Sequence, residues 1–447
     1  MIKLFQRRIK PGFYYYRGKG DWAGLKLHLR ILEDGTGILV INASKVIYLN
    51  QTAAAHVKSM MEGKEAEVAV KEIRRVFKVP KEKALEDFKH ILYALNTLAT
   101  SAENVCPFSY IGIEKIEPFS KSLPAPLRLD LALTYRCNNK CVHCYSGTAT
   151  VSKELSTEEW KKVIDRAYDL GIPQILFTGG EPTLRKDLTE IIEYAEAVGL
   201  VTGLVTNGRL LKDFNFVKKL ADAGLDYAQV TLESHKPEIH DAITEAPGSW
   251  NETVAGIRNL LQTSIYTSVN MTLNRQNLKY AAETVDFFHK LGLKRFSANG
   301  LIYAGKGVKV ASTFAVEEKE LQPILEEIRD KARDYGMQFT WYTPTHYCEL
   351  NPVALGLGIK CCSACRITLC IEPDGDVIPC QSFFEKIGNI LTDKWNDIWN
   401  HPICNSIRQK EYAPEKCREC LELNLCGAGC PLELKAKRIL CGECYES

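Results

Sequence analysis

"LALTYRCNNKCVHCYSG", residues 131–147, joins an apolar run that reads as a buried strand to three cysteines, Cys137, Cys141 and Cys144, spaced C-x3-C-x2-C. A structural zinc takes four protein ligands in a tetrahedron, and the one further candidate nearby is His143. Adjacent residues His143 and Cys144 would have to wrap a single small ion together, which is strained. A cubane [4Fe–4S] cluster is larger, and a loop with these gaps can supply three of its irons, leaving the fourth open for another ligand.

The pattern around this loop alternates strand and helix from Leu129 onward. "LDLALT", "QILFT", "TGLVT", "YAQVTL", "TSVNMTL" and "KRFSANG" read as six strands, with helices over 156–169, 187–197, 214–223, 251–262 and 278–290 between them. Strands joined by crossover helices imply a parallel α/β sheet or open barrel, whose chemistry gathers at the C-terminal strand ends. The cysteine loop lies at such an end, and residues 311–345 add another helix and strand.

The front of the chain has a different grammar. Residues 25–50 alternate and turn at Asp34-Gly35, reading as a strand meander, and three helical segments follow, broken at Gly63 and Pro80. This small α+β unit over residues 1–115 looks like a winged helix. Residues 51–99 carry nine Lys/Arg against seven Asp/Glu, so no basic face points to nucleic acid. Pro118, Pro124 and Pro126 mark a linker, 116–127. From His346 to Ser447 the chain is short-segmented and cysteine-dense, so metal is expected to replace part of the apolar core.

Composition sets the compartment. At 447 residues, 45% hydrophobic and 25% charged, the chain is ordinary for a globular protein of two or three domains, and a formal net charge of +2 gives no pull toward nucleic acid or anionic lipid. No apolar run reaches the roughly 18 residues of a membrane span, and no secretory h-region opens the chain, so the expected location is cytoplasmic. Of 17 cysteines, thirteen lie between Cys348 and Cys444. An odd count without a secretion signal argues against a disulfide scaffold and for metal-bound thiolates.

The loop's spacing resembles the signature of the radical S-adenosylmethionine (SAM) superfamily, which implies that its open iron chelates the methionine moiety of SAM. The strand ends that follow are similar too: "TGGEPTL" with Gly179, Gly180, Glu181 and Pro182; "VTNG" with Thr206 and Asn207; "QVTLES" with Thr231 and Glu233; and Asn274 after "VNMTL". The resemblance makes these the residues around SAM, with backbone groups at the two glycines holding its amino group. It also implies a partial (β/α)6 TIM-like barrel over residues 128–310, with a bridging segment at 311–345. Many relatives carry an Arg shortly after an "IHD"-like stretch; "IHDAITEAPGSW" has none.

The C-terminal cysteines, Cys362-x12-Gly375-x4-Cys380, then Cys417-x2-Cys420-x5-Cys426-x3-Cys430 and a final cysteine, resemble the SPASM pattern of radical SAM maturases. The resemblance implies two auxiliary [4Fe–4S] clusters within 346–447. Cys362, Cys380 and Cys430 would hold the first, with Cys370 favoured over Cys365 and Cys361 as its fourth ligand. Cys417, Cys420, Cys426 and a last cysteine, Cys444 or its rival Cys441, would hold the second. Two zinc knuckles suit C-x2-C equally well. Cys106, Cys348 and Cys404 read as packed thiols.

Residues 25–99 resemble the small peptide-binding domain of pyrroloquinoline quinone biosynthesis, in which a leader peptide adds as a strand to a sheet edge. Together the resemblances imply an enzyme that cleaves SAM to a 5′-deoxyadenosyl radical and modifies a ribosomally made precursor peptide bound through its N-terminal domain, by thioether or carbon–carbon crosslinking. An external electron donor of flavodoxin or ferredoxin type is implied. Gln381 stands where relatives that oxidise a Cys or Ser side chain carry an Asp base, and a neutral amide takes no proton at pH 7. The alternatives are the same chemistry on a small-molecule or cofactor precursor, and an iron–sulfur electron carrier or zinc-stabilised adaptor.

Overall fold

A computed structural model describes residues 9–100 and 123–441, without the side chains of residues 21, 98–100 and 439–441. Cys106 and Cys444, most of the linker and the side chain of Cys441 therefore lie outside the described residues. Contacts divide the chain into two compact units, one within Met1–Ser122 together with Ile164–Gln174 and Ala197–Val201, the other the remainder.

In the first unit, β1 (Gly12–Arg17), β2 (Lys26–Ile31), β3 (Gly37–Ile41) and β4 (Lys45–Leu49) form an antiparallel sheet in sequence order. Gly35, with φ at +84°, makes the β2–β3 turn at the expected Asp34-Gly35, and the Thr36 amide donates to the Asp34 side chain at 2.8 Å. The first strand, "GFYYYR", was not foreseen. Helices α1 (Gln51–Met61), α2 (Ala66–Val76) and α3 (Lys81–Thr100) follow, α1 capped by the Asn50 side chain, which accepts from the Ala53 amide at 2.8 Å. Leu27, Leu29 and Ile31 of β2 join Leu39, Ile41, Val57 and Phe88 in one core.

The other face of β2 is polar yet buried. Lys26 Nζ donates to the Leu200 carbonyl at 2.9 Å, Arg30 Nε to Gly171 at 3.0 Å, and His28 Nε2 lies 2.8 Å from the Gly199 carbonyl. A carbonyl only accepts, so His28 is the neutral Nε2–H tautomer, and burial holds its pKa down at about 4. The unfolded chain protonates near pH 6.5 and the folded one only near pH 4. Stability present above pH 6.5 is therefore lost progressively as pH falls to 4, by about 3 kcal/mol for a shift of this size. Denaturant titrations of the wild type and His28→Gln across this range check it; equal pH slopes in the two proteins would remove His28 as the cause.

The second unit is built on a ten-stranded sheet. Strands β5 (Arg128–Thr134), β6 (Gln174–Gly179), β7 (Val201–Thr206), β8 (Tyr227–Thr231), β9 (Tyr266–Thr272) and β10 (Arg295–Asn299) are the six expected ones. β11 (Gln338–Trp341) continues them as a further parallel strand beside β10. Beyond β5 the order runs through β12 (Thr368–Ile371), β13 (Asp376–Ile378) and β14 (Gly388–Asn389). β12 pairs parallel with β5, Cys370 opposite Asp130, and β13 and β14 add as antiparallel strands.

The cysteine-rich segment thus extends the sheet of the central domain. It also carries more apolar core than its sequence pattern promised: Leu369, Ile371, Val377, Ile378 and Ile390 are fully buried. Among the described residues no helix is long and apolar enough to cross a membrane.

Candidate functional site

The cysteine loop leaves the C-terminal end of β5 and is held by its backbone. The Lys140 and Val142 amides donate to Thr244 and Ile243, both at 3.0 Å, at the end of the helix Pro237–Thr244. Lys306 Nζ donates to Lys140 O at 2.7 Å, the Lys306 amide to Cys144 O at 3.0 Å, and Arg209 Nη1 to Asn139 Oδ1 at 2.9 Å. Neither Lys306 nor Arg209 was singled out from sequence, because a lone basic residue carries no motif.

Gly179 and Gly180 are required by close approach. The Gly180 amide donates to Thr134 O at 2.7 Å and the Glu181 amide to Arg136 O at 2.8 Å, so this turn is pinned against the start of the cysteine loop. A Cβ on Gly180 would lie less than 3.0 Å from the carbonyl oxygens of Tyr135 and Arg136, and Gly179 has φ at +131°. Two N–H groups of the turn are thereby engaged, and an ammonium ligand needs acceptors, so the groups suited to it are carbonyls.

The two glutamates read as cofactor contacts are buried braces. Glu181 accepts from Thr183 Oγ1 at 2.5 Å, Thr206 Oγ1 at 2.7 Å and the Asn207 amide at 2.7 Å, tying the end of β6 to the end of β7, while burial pushes its pKa up. Glu233 accepts from the Thr272 amide at 2.9 Å and faces His143 Nε2 at 3.4 Å. The His143 ring stacks on Phe314. His143 therefore anchors the loop to the strand ends, turned to Glu233.

Asn274 is also engaged locally: its Oδ1 accepts from the Gln276 amide at 2.9 Å, and Nδ2 donates to Thr272 O at 2.7 Å. Asn207 Nδ2 bonds Asn138 Oδ1 at 2.6 Å and lies 3.9 Å from Cys137 Sγ. Pro182 opens a buried single turn, Pro182–Leu184. Thr231 alone among the named polar side chains has no side-chain hydrogen bond among the described residues.

In the C-terminal region, burial pushes the Cys362 thiol far up and the neighbouring Cys430 and Cys380 thiols push it further; Cys370, fully buried, lies beside Asp130 and Cys380. These four cysteines are brought together. Cys417, Cys420 and Cys426 form a second group. Cys365 is bonded to Cys404 in a disulfide, Cα atoms 5.2 Å apart, so Cys404 is not the packed thiol expected and Cys365 is engaged elsewhere. Cys348, also expected to be packed, is exposed.

Two properties decide which metal group these thiols suit. Thiolates around one tetrahedral zinc stand about 3.8 Å apart. Among the described residues, the only three ligand atoms from His, Cys, Asp or Glu that all lie within 4.8 Å of one another belong to Glu318, His346 and Glu433. No three cysteine sulfurs among the described residues are that close, as a single tetrahedral zinc would require. Burial also raises the thiol pKa values at Cys137, Cys141 and Cys380, and Cys430 to about 12, which disfavours free nucleophilic thiolates and suits sulfurs whose charge a metal balances.

Residues 131–288 match the Radical SAM superfamily, and residues 361–421 match the SPASM iron–sulfur cluster-binding domain. The chain thus carries a radical SAM segment followed by a SPASM segment, two domains that imply [4Fe–4S] clusters and SAM as cofactors. It is 35% identical over 222 residues to the Fe-coproporphyrin III synthase of Methanosarcina barkeri, covering 48% of this chain and 55% of that one, so it spans about half the length of that relative. It is 28% identical to the PqqA peptide cyclase of Rhizobium meliloti, across 70% of this chain and 84% of the cyclase. In fold it matches Streptococcus suis SuiB bound to S-adenosylmethionine, with a TM-score of 0.68, 18% identity and coverage of 91% of this chain and 95% of SuiB. The structure of anSMEcpe with bound AdoMet matches over 68% of this chain and 89% of its own, with a TM-score of 0.54 and 18% identity.

Proposed function

We propose that this protein reductively cleaves SAM and uses the resulting radical to modify a ribosomally made peptide by forming a crosslink. The observation that carries this reading is that similarity to the PqqA peptide cyclase runs through 84% of that enzyme. Likeness in fold to SuiB, also solved bound to its precursor peptide SuiA, covers 94% of this chain and so supports the same organisation. In this reading residues 1–115 recruit the peptide, 128–310 form the radical SAM core, 311–345 bridge, and 346–447 form the SPASM domain.

Cys137, Cys141 and Cys144 would hold the [4Fe–4S] cluster, which when bound supplies the electron that splits SAM into methionine and a 5′-deoxyadenosyl radical. Glu181, Glu233, Asn207 and Asn274 fix the strand ends around SAM, chiefly through the backbone they brace, and the uncommitted hydroxyl of Thr231 is free to meet it. Cys362, Cys370, Cys380 and Cys430 would hold the first auxiliary cluster.

Crosslinking removes two hydrogens from the peptide: one leaves as an atom taken by the radical, and the other as a proton and an electron, the electron being one that an auxiliary cluster would accept. Gln381 cannot take that proton, and its Oε1 accepts from Tyr145 Oη at 3.3 Å. Glu372 is the better acceptor. Its Oε1 receives Tyr135 Oη at 2.8 Å, burial pushes its pKa up, and Cys370 stands two residues before it.

The reduced holoprotein with SAM and a short peptide encoded beside its gene is expected to release 5′-deoxyadenosine and yield a peptide two hydrogens lighter. Identity with the Fe-coproporphyrin III synthase favours a second reading, a tetrapyrrole substrate. Formation of an iron coproporphyrin from a tetrapyrrole precursor, with no saturable peptide binding to the full chain, would replace the first reading by the second.

A further inference from the structure

The turn Thr345–Leu350 is fixed from both sides. The His346 amide and ring Nδ1 lie 3.1 and 3.2 Å from the Glu318 carboxylate, itself buried on the helix Glu318–Asp334, and Leu350 closes the turn by donating to His346 O at 2.8 Å. On the opposite side the Tyr347 amide donates to Cys426 Sγ at 3.4 Å, and Cys426 Sγ donates to Thr345 O at 3.5 Å. The next residue is Cys348, whose thiol is exposed, as is that of Cys420.

Cys348 is thus carried on a clamped turn whose backbone contacts one sulfur of the second C-terminal group. The Cys348 thiol also lies close enough to Cys417 for the two to interact electrostatically. Cys361 is the other cysteine close by, with Gly427 next to its Cβ, but its neighbour in sequence, Cys362, belongs with Cys380 and Cys430. Cys441 ends the helix Pro431–Cys441, which starts directly after Cys430 of the first group.

We propose that Cys348 is the fourth thiolate, with Cys417, Cys420 and Cys426, of the second auxiliary cluster, the place a C-terminal cysteine takes in the SPASM pattern. This rests on the reading of residues 346–447 as a two-cluster domain. A ligand from upstream of the first auxiliary group closes the site with a residue on the turn before the SPASM match.

The test uses the full chain, reconstituted anaerobically with iron and sulfide, and reads iron content, Mössbauer spectra and the EPR spectrum of the reduced protein. The wild type is expected to hold about twelve irons, and a protein with zinc alone or no cluster would fail the parent reading rather than this one. Cys348→Ala, which leaves three thiolates, is expected to lose the iron that Cys348 holds, falling to about eleven irons with a three-iron signal in place of one cluster signal while the other two persist. Cys348→Ser, which keeps an oxygen ligand, is expected to retain the iron with a shifted EPR spectrum. Cys361→Ala and the double variant Cys441→Ala/Cys444→Ala are expected to match the wild type. An unchanged Cys348→Ala, a Cys348→Ser spectrum identical to the wild type, or loss of the second cluster's iron in either of the other variants would overturn the assignment.

Discussion

Cys141→Ala is expected to abolish SAM cleavage, with 5′-deoxyadenosine falling at least about 1,000-fold, while iron content drops from about twelve to about eight per chain. The thiol is the middle of three, and two sulfurs do not hold a cubane against solvent. The substitution should not disturb the fold. The loop is positioned by main-chain bonds on either side of Cys141, from Lys140 to Thr244 and from Val142 to Ile243, and these survive loss of the sulfur. The C-terminal clusters should persist, since their cysteines lie on other elements. Radical product formed at a comparable rate by the variant, measured by chromatography after dithionite reduction, would show that SAM is cleaved elsewhere.

Gly180→Ala should separate stability from activity. Its Cβ would meet the backbone oxygens of Tyr135 and Arg136 at less than 3.0 Å, and backbone cannot rotate aside as a side chain would. Overpacking of this kind costs about 1–3 kcal/mol, which a domain of this size survives. The residues displaced immediately precede Cys137, and misplacing a reacting group by 1 Å costs on the order of 100-fold. The expected outcome is a protein with nearly native circular dichroism, a melting temperature lowered by a few degrees and SAM cleavage reduced about 100-fold. If activity and melting temperature both stayed native, the close packing of the two turns would not be what positions the loop.

The six central strands were legible because each is a short apolar run bounded by turn residues and followed by an amphipathic helix. The cysteine loop was legible because its ligands are adjacent in sequence. Strand β1 escaped because "GFYYYR" lies between Pro11 and Gly18 in a charged terminus. The pairing of β12 with β5 joins residues more than 230 positions apart, and nothing in either segment names its partner. Glu181 and Glu233 were placed correctly at strand ends, but a carboxylate there looks the same whether it meets a ligand or the amides of the next strand. The Cys365–Cys404 bond was hidden for a related reason: spacing among many cysteines does not state which two meet.

The pairing of β5 with β12 bears on interchangeability. Because Cys370 sits opposite Asp130 on adjoining strands, roughly 4.8 Å apart, the spacing between the front loop and the first C-terminal group is written into one hydrogen-bonded ladder. A chimera that imports a foreign C-terminal region must therefore supply a strand in matching register or leave β5 as a bare edge. Recombination that respects this ladder has only the loops and the front domain to vary, so new specificities are expected to arise there.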